Sequence, residues 1–134
     1  MTEFQLLEDQ AEAPWLADFD QAFMGVQFFG ECVFLHRASR SLIVTDSVQN
    51  HTGPTHRGFG AILNKLMLQP LGFKNICVAP PLRLKMVVKN PDAMRAFVKR
   101  VQSWDFDRVI VTHGDVIDVD AKAVLERICQ KIAI

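Results

Sequence analysis

Asp46 and His113 are the residues of this chain whose types and settings best suit chemistry. Asp46 closes the run Leu42-Ile43-Val44-Thr45, and His113 closes the run Val109-Ile110-Val111-Thr112. Each stands where an apolar strand gives way to a loop, and the C-terminal edge of a sheet is where ligands collect in layered α/β folds. A carboxylate and an imidazole placed there could share a divalent metal such as zinc, iron or manganese. The imidazole would be the borderline-soft ligand and the carboxylate would neutralise charge. Asp115, in the string His113-Gly114-Asp115, is a further candidate. On spacing alone, a turn or cap role for Asp46 and a hydrogen-bonded loop role for His113 stay open beside the metal role. His51 and His56 lie five apart in a loop rich in Gly and Pro, off the i, i+4 spacing by which a helix presents two metal ligands, and read as solvated. His36 follows an apolar strand and precedes Arg37, which suits a structural hydrogen bond.

The elements that must position these groups follow from periodicity and turn chemistry. Residues 31–36 and 41–46 are short runs rich in β-branched and aromatic residues, joined by Arg37-Ala38-Ser39-Arg40, and predict a hairpin. Residues 48–60 carry loop chemistry. A helix is expected next, with Phe59, Ile62, Leu63, Leu66 and Met67 on one face and Gly72 just past its end. Leu82-Arg83-Leu84-Lys85-Met86 alternates like a strand with one wet face. Asn90-Pro91-Asp92 starts a helix whose stripe is Met94, Phe97, Val98 and Val101. A strand over 108–112 leads to His113, and Asp120 is expected to cap a last helix with Ala121, Val124, Leu125, Ile128 and Ile132 on one side. The predicted order β-β-α-β-α-β-α implies an α+β fold built in α/β layers, a mixed sheet covered by helices on one face. Residues 1–134 read as a single domain, with 1–20 an irregular N-terminal segment.

Composition narrows the function classes. The 15 basic residues balance 15 acidic ones, so no excess of positive charge marks a nucleic-acid or anionic membrane partner. No apolar run approaches the ~20 residues of a membrane span, and the N-terminus lacks the basic and apolar regions of a secretory signal. A cytoplasmic location is expected. Cys32, Cys77 and Cys129 are odd in number and irregularly spaced, unlike a disulfide framework or a CxxC zinc site, and read as small apolar residues. No Gly-x-Ser-x-Gly elbow or Walker-type phosphate loop is present. Trp104 and Phe106 read as core, and Asp105 and Asp107 as cap or turn residues.

Two strings carry a resemblance. Glu31-Cys-Val-Phe-Leu-His-Arg-Ala-Ser-Arg-Ser-Leu-Ile-Val-Thr-Asp46, followed by Gln49-Asn50, and Trp104-Asp-Phe-Asp-Arg to His113-Gly-Asp115, resemble an uncharacterised bacterial family related to the metallo-β-lactamase superfamily. The resemblance implies half of an αββα sandwich, with residues 24–134 as its C-terminal half. It also implies that Asp46 and His113 stand where that half supplies an Asp at a strand end and a last His. The superfamily's His-x-His-x-Asp-His cluster, which belongs to the first half, is absent from this sequence. A catalytic zinc site takes about three protein ligands and an open position. The chain is therefore expected to be non-catalytic by itself, with a metal site that is vestigial or is completed by another chain. Half a sandwich also leaves an apolar sheet face in need of cover. A homodimer or a complementary half-domain chain is the expected partner, and the segment with Phe4, Leu6, Leu7, Trp15 and Leu16 could instead fold back over the face.

Overall fold

The computed structural model of the chain describes residues 13–25, 30–52, 62, 64–72, 75–83, 88 and 90–131. Its strands are β1 (Phe19–Gly25), β2 (Gly30–His36), β3 (Ser41–Ile43), β4 (Val48–Asn50), β5 (Ile76–Val78) and β6 (Arg108–Ile110). β1, β2, β3 and β6 form one sheet in that spatial order; its first three strands are antiparallel neighbours, and β6 runs parallel to β3. β4 and β5 form an antiparallel pair, and a parallel bridge from Asn50 to Gly114 ties β4 to the chain beyond β6.

The two-residue period of a strand sorts the sheet's faces. Ala22 and Met24 of β1, Glu31, Val33 and Leu35 of β2, Leu42 of β3 and Val109 of β6 all point inward and are buried, with Leu42 and Val109 at 0% exposure. Helices cover this face: a single turn, α1 (Pro80–Arg83), then α2 (Pro91–Ser103) against β1 and α3 (Ala121–Cys129) against β5 and β6. The Asn90 side chain accepts hydrogen bonds from the amides of Asp92 and Ala93, both at 3.1 Å, and so caps α2 as its sequence predicts. Met94 and Val101 are buried against the sheet, and Leu125 and Ile128 of α3 complete the layer. The fold is thus α+β, a mixed sheet with helices on one face.

The opposite face is also apolar. The register sets Phe19, Phe34 and Ile43 on it, and together with Trp15 they line a shallow groove of about 300 Å³. Trp15 belongs to a 3₁₀ turn, Pro14–Ala17. Its ring meets Phe34 edge-on at 6.5 Å, and its indole N–H donates to Gln21 Oε1 at 2.8 Å. Arg37 fastens this turn by donating to the Leu16 and Ala17 carbonyls while pairing with Asp20 at 2.7 Å.

Several expectations need correction. The segment 1–20 is not irregular throughout, because β1 begins at Phe19; the polar Asp20 and Gln21 hide its alternation in the sequence. Residues 48–50 are a strand rather than loop, held by pairing to β5 rather than by propensity. The strand expected over Leu82–Met86 does not begin at Leu82, which with Arg83 belongs to a helical turn begun by Pro80 and Pro81; 84–86 lie outside the described residues, and a strand stands earlier, at 76–78. Both prolines suit a first helical turn, where an amide is not needed. Of the helix expected through Phe59–Met67, Ile62 is helical and Asn64–Leu68 form one wide π-type turn, while Phe59 and Leu63 lie outside the described residues. Ile62, Leu66 and Met67, the described residues of the expected stripe, are 57%, 71% and 60% exposed. Gly72 does adopt a left-handed φ of 96° in the turn that follows. Asp120 stands at the start of α3 but in the left-handed region, φ 49°, and its side chain makes no cap bond. Asp105 and Asp107 pair with the Arg40 guanidinium, tying the β2–β3 turn to the entry of β6. The stretches 53–61 and 84–87, and Ile132, lie outside the described residues. Among the described residues no helix is long and apolar enough to cross a membrane.

Candidate functional site

The loop that carries Asp46 is built on a buried carboxylate. Glu31 is the inward-facing first residue of the Glu31, Val33, Leu35 series and is 2% exposed. Its Oε1 accepts from the Thr45 amide at 2.7 Å and from the Ser47 hydroxyl at 2.8 Å, and its Oε2 accepts from the Ser47 amide at 2.9 Å. A carboxylate with three donors is satisfied without a counter-ion, and it fixes the residues on both sides of Asp46. Val44 continues the β3–β6 pairing through its amide to the Ile110 carbonyl at 2.9 Å. Asp46 is therefore held at a set height beyond the sheet's end.

His113 is placed by a second clamp, Asn50, which is 4% exposed. The Asn50 amide donates to the His113 carbonyl at 3.0 Å, the Asp115 amide donates to the Asn50 carbonyl at 3.3 Å, and Asn50 Nδ2 donates to the Asp115 carbonyl at 2.8 Å. Asn50 Oδ1 accepts from the Thr52 amide and hydroxyl at 3.0 and 2.6 Å. Between His113 and Asp115 the chain passes so close to Asn50 that a Cβ on Gly114 would fall 1.6 Å from the Asn50 carbonyl oxygen. Gly114 also has φ 112°, so only glycine fits this turn.

The clamps bring the sequence pair together: His113 Nε2 lies 2.9 Å from Asp46 Oδ1, across 67 positions of sequence. Both side chains are more than half exposed. When the neutral ring donates from Nε2 to the carboxylate, its lone pair is left on Nδ1, a suitable donor atom for a metal or acceptor for a proton. The other Asp46 oxygen completes a set of two potential ligands.

The remaining candidates do not join them. His36 is at the other end of β2, where Nδ1 contacts Ser39 Oγ at 2.7 Å and the ring packs on Phe19 at 4.8 Å. That is the structural role its sequence suggests. His51 directs Nε2 to Gln49 Oε1 at 2.9 Å. His56 lies outside the described residues. Asp115 sits in the clamped turn with Oδ2 buried and without a hydrogen-bond partner. Among the described residues no group of three or more His, Cys, Asp or Glu side chains could hold a metal ion. One imidazole and one carboxylate fall short of the about three protein ligands of a catalytic zinc, so by themselves these residues do not fit a resident metal. Burial, and to a lesser extent the charge of Glu126, pushes the Cys129 thiol up to about 11, which suits an inert packing residue rather than a nucleophile.

Glu31 and Asn50 were not singled out by residue chemistry. Glu31 opens the resembling string and is a carboxylate on the buried side of an alternating strand; Asn50 follows that string, in a polar stretch with no local pattern of its own. No protein-family model matches this chain, and neither a curated protein nor a solved structure matches it.

Proposed function

We propose that this chain is a metallo-β-lactamase-like domain that is non-catalytic by itself, with Asp46 and His113 forming half of a site. The observation that carries this is the 2.9 Å contact between an Asp and a His at adjacent strand ends, with no third ligand beside them among the described residues. The resemblance in sequence names the same pair as the ligands contributed by one half of the superfamily fold. A hydrolase whose site is completed by a second chain is the alternative, and the solvent exposure of both side chains favours it, since a partner's ligands could reach them.

The partner in this proposal is a second copy of the chain, docked through the outer sheet face; a complementary half-domain is the other partner the resemblance implies. Phe19, Phe34, Ile43 and Trp15 give that face an apolar centre. Two copies packed face to face would form a core of the kind that aligned sheets make. A cytoplasmic location belongs to the same proposal.

Metal content and mass test it together, on chain purified without chelator or affinity nickel. Below about a tenth of an equivalent of zinc, iron or manganese per chain is expected, at a mass twice the 15.1 kDa of one chain. About half an equivalent or more, lost in Asp46→Ala and accompanied by hydrolysis of a generic ester or lactam, would overturn the non-catalytic assignment in favour of the shared-site hydrolase. A lone, metal-free monomer would overturn the dimer.

A further inference from the structure

The outer sheet face carries both a hole and a knob, at one level along the strands. The register makes Gln21, Phe34, Ile43 and Ile110 lateral neighbours, a row that crosses all four strands. The groove lined by Trp15, Phe19, Phe34 and Ile43 reaches from β1 to β3, so its middle lies over β2. Ile110, on β6, is not part of its wall and is 37% exposed. The next row is Phe19, His36, Ser41 and Arg108. It ends in a cation, Arg108, and begins beside an anion, Asp18, and both are exposed. Among the described residues neither is in a salt bridge.

A second copy fills the hole with the knob under one symmetry. Sheets packed face to face lie about 10 Å apart with their strands nearly aligned, and a closed dimer relates them by a two-fold. An axis along β3 keeps the level and exchanges the sides. Ile43 then meets its own copy, and β6 of each copy lies over β2 of the other. Ile110 enters the groove above Phe34. Arg108, one row away, falls over His36, one strand spacing of about 4.8 Å from the strand that Asp18 precedes. An axis across the strands would instead set β6 on β6 and groove on groove, with Arg108 and Asp18 far apart.

We propose that the outer face is the contact of a homodimer whose two-fold runs along β3, with Ile110 of each copy seated in the other's aromatic groove and Arg108 of each paired with the other's Asp18. This rests on the homodimer reading above and adds the orientation that the reading leaves open. The apolar fill supplies the affinity, and the exposed ion pairs select the axis. Because the axis follows the strands, the Asp46–His113 pairs of both copies emerge at the same edge of the dimer, on β3 ends about 10 Å apart.

Sedimentation equilibrium on the full chain tests the axis. The parent is expected to be dimeric, and Ile110→Lys to weaken association about thirtyfold or more. Ala123→Lys, on the exposed side of α3, should leave it unchanged. At low salt Asp18→Arg and Arg108→Asp are each expected to weaken the dimer about tenfold, since each sets two like-charge contacts across it. The double variant should return to within about threefold of the parent, because the pairs re-form with their charges exchanged. All of these positions are exposed, and an unchanged circular dichroism spectrum shows that each variant folds. A monomeric parent would overturn the homodimer reading and this axis together. A dimer that Ile110→Lys leaves intact would keep that reading and overturn this contact. A dimer that Ile110→Lys breaks, but that ignores the single charge reversals or is not restored by the double variant, would overturn the axis along β3.

Discussion

Replacing Glu31 by Gln probes the foundation of the candidate site. Gln keeps the volume and one acceptor oxygen, which can still serve the Thr45 amide and the Ser47 hydroxyl where Oε1 does now. Its NH₂ group then faces the Ser47 amide in place of Oε2, donor against donor, at a residue only 8% exposed. A hydrogen bond to a charged acceptor contributes about 1.5–3 kcal/mol, and a buried donor left without a partner costs about 1–3 kcal/mol. Relief of carboxylate desolvation acts in the other direction, but the three donors already offset much of it in the parent. The net expectation is a loss of about 2 kcal/mol, inside the ~5–15 kcal/mol stability of a typical domain, so the variant folds. Urea unfolding should show a lower midpoint with an unchanged slope, because the surface exposed on unfolding is the same. The His113 ring resonances should shift as the Asp46 loop relaxes. Combining the change with Ser47→Ala should be clearly non-additive, since both remove one network. A midpoint equivalent to less than about 0.5 kcal/mol, with His113 unmoved, would refute the assignment of Glu31 as the anchor of Asp46.

Gly114→Ala should cost on the order of 3 kcal/mol or more, since the new Cβ meets the Asn50 carbonyl and the backbone stays left-handed; thermal unfolding reads it directly. Asp46→Ala should change stability by less than about 1 kcal/mol, because the His113 pair is solvent-exposed; a larger shift in the urea midpoint would assign it a structural role. Asn90→Ala should destabilise by about 1 kcal/mol through loss of the two capped amides of α2, with faster amide exchange at Asp92 and Ala93 as the local check. Cys129 has a thiol raised from 9.0 to about 11 in the folded state, so the unfolded chain loses that proton first as pH rises. The contribution is present below pH 9 and is lost between about 9 and 11. Stability measured across this window should fall in the parent and fall less in Cys129→Ala.

The sequence by itself determined what local chemistry decides. The turn at Arg37–Arg40 between two alternating strands, the Asn90 cap with Pro91 behind it, the apolar stripe from Met94 to Val101 and the short strand before His113 follow from residue type and period, and the structure contains each. Asp46 and His113 were legible as strand-end residues for the same reason. Tertiary structure decided the rest. β4 exists because β5 lies beside it, and neither three-residue strand carries enough pattern to be read alone. Ile62, Leu66 and Met67 share a helical period yet stay more than half exposed, so at these positions periodicity did not become core. The pairing of Asp46 with His113 depends on Glu31 and Asn50, each acting across chain separations that no local pattern records. A carboxylate under one loop and an amide clamping another are what turn two separate strand ends into one site.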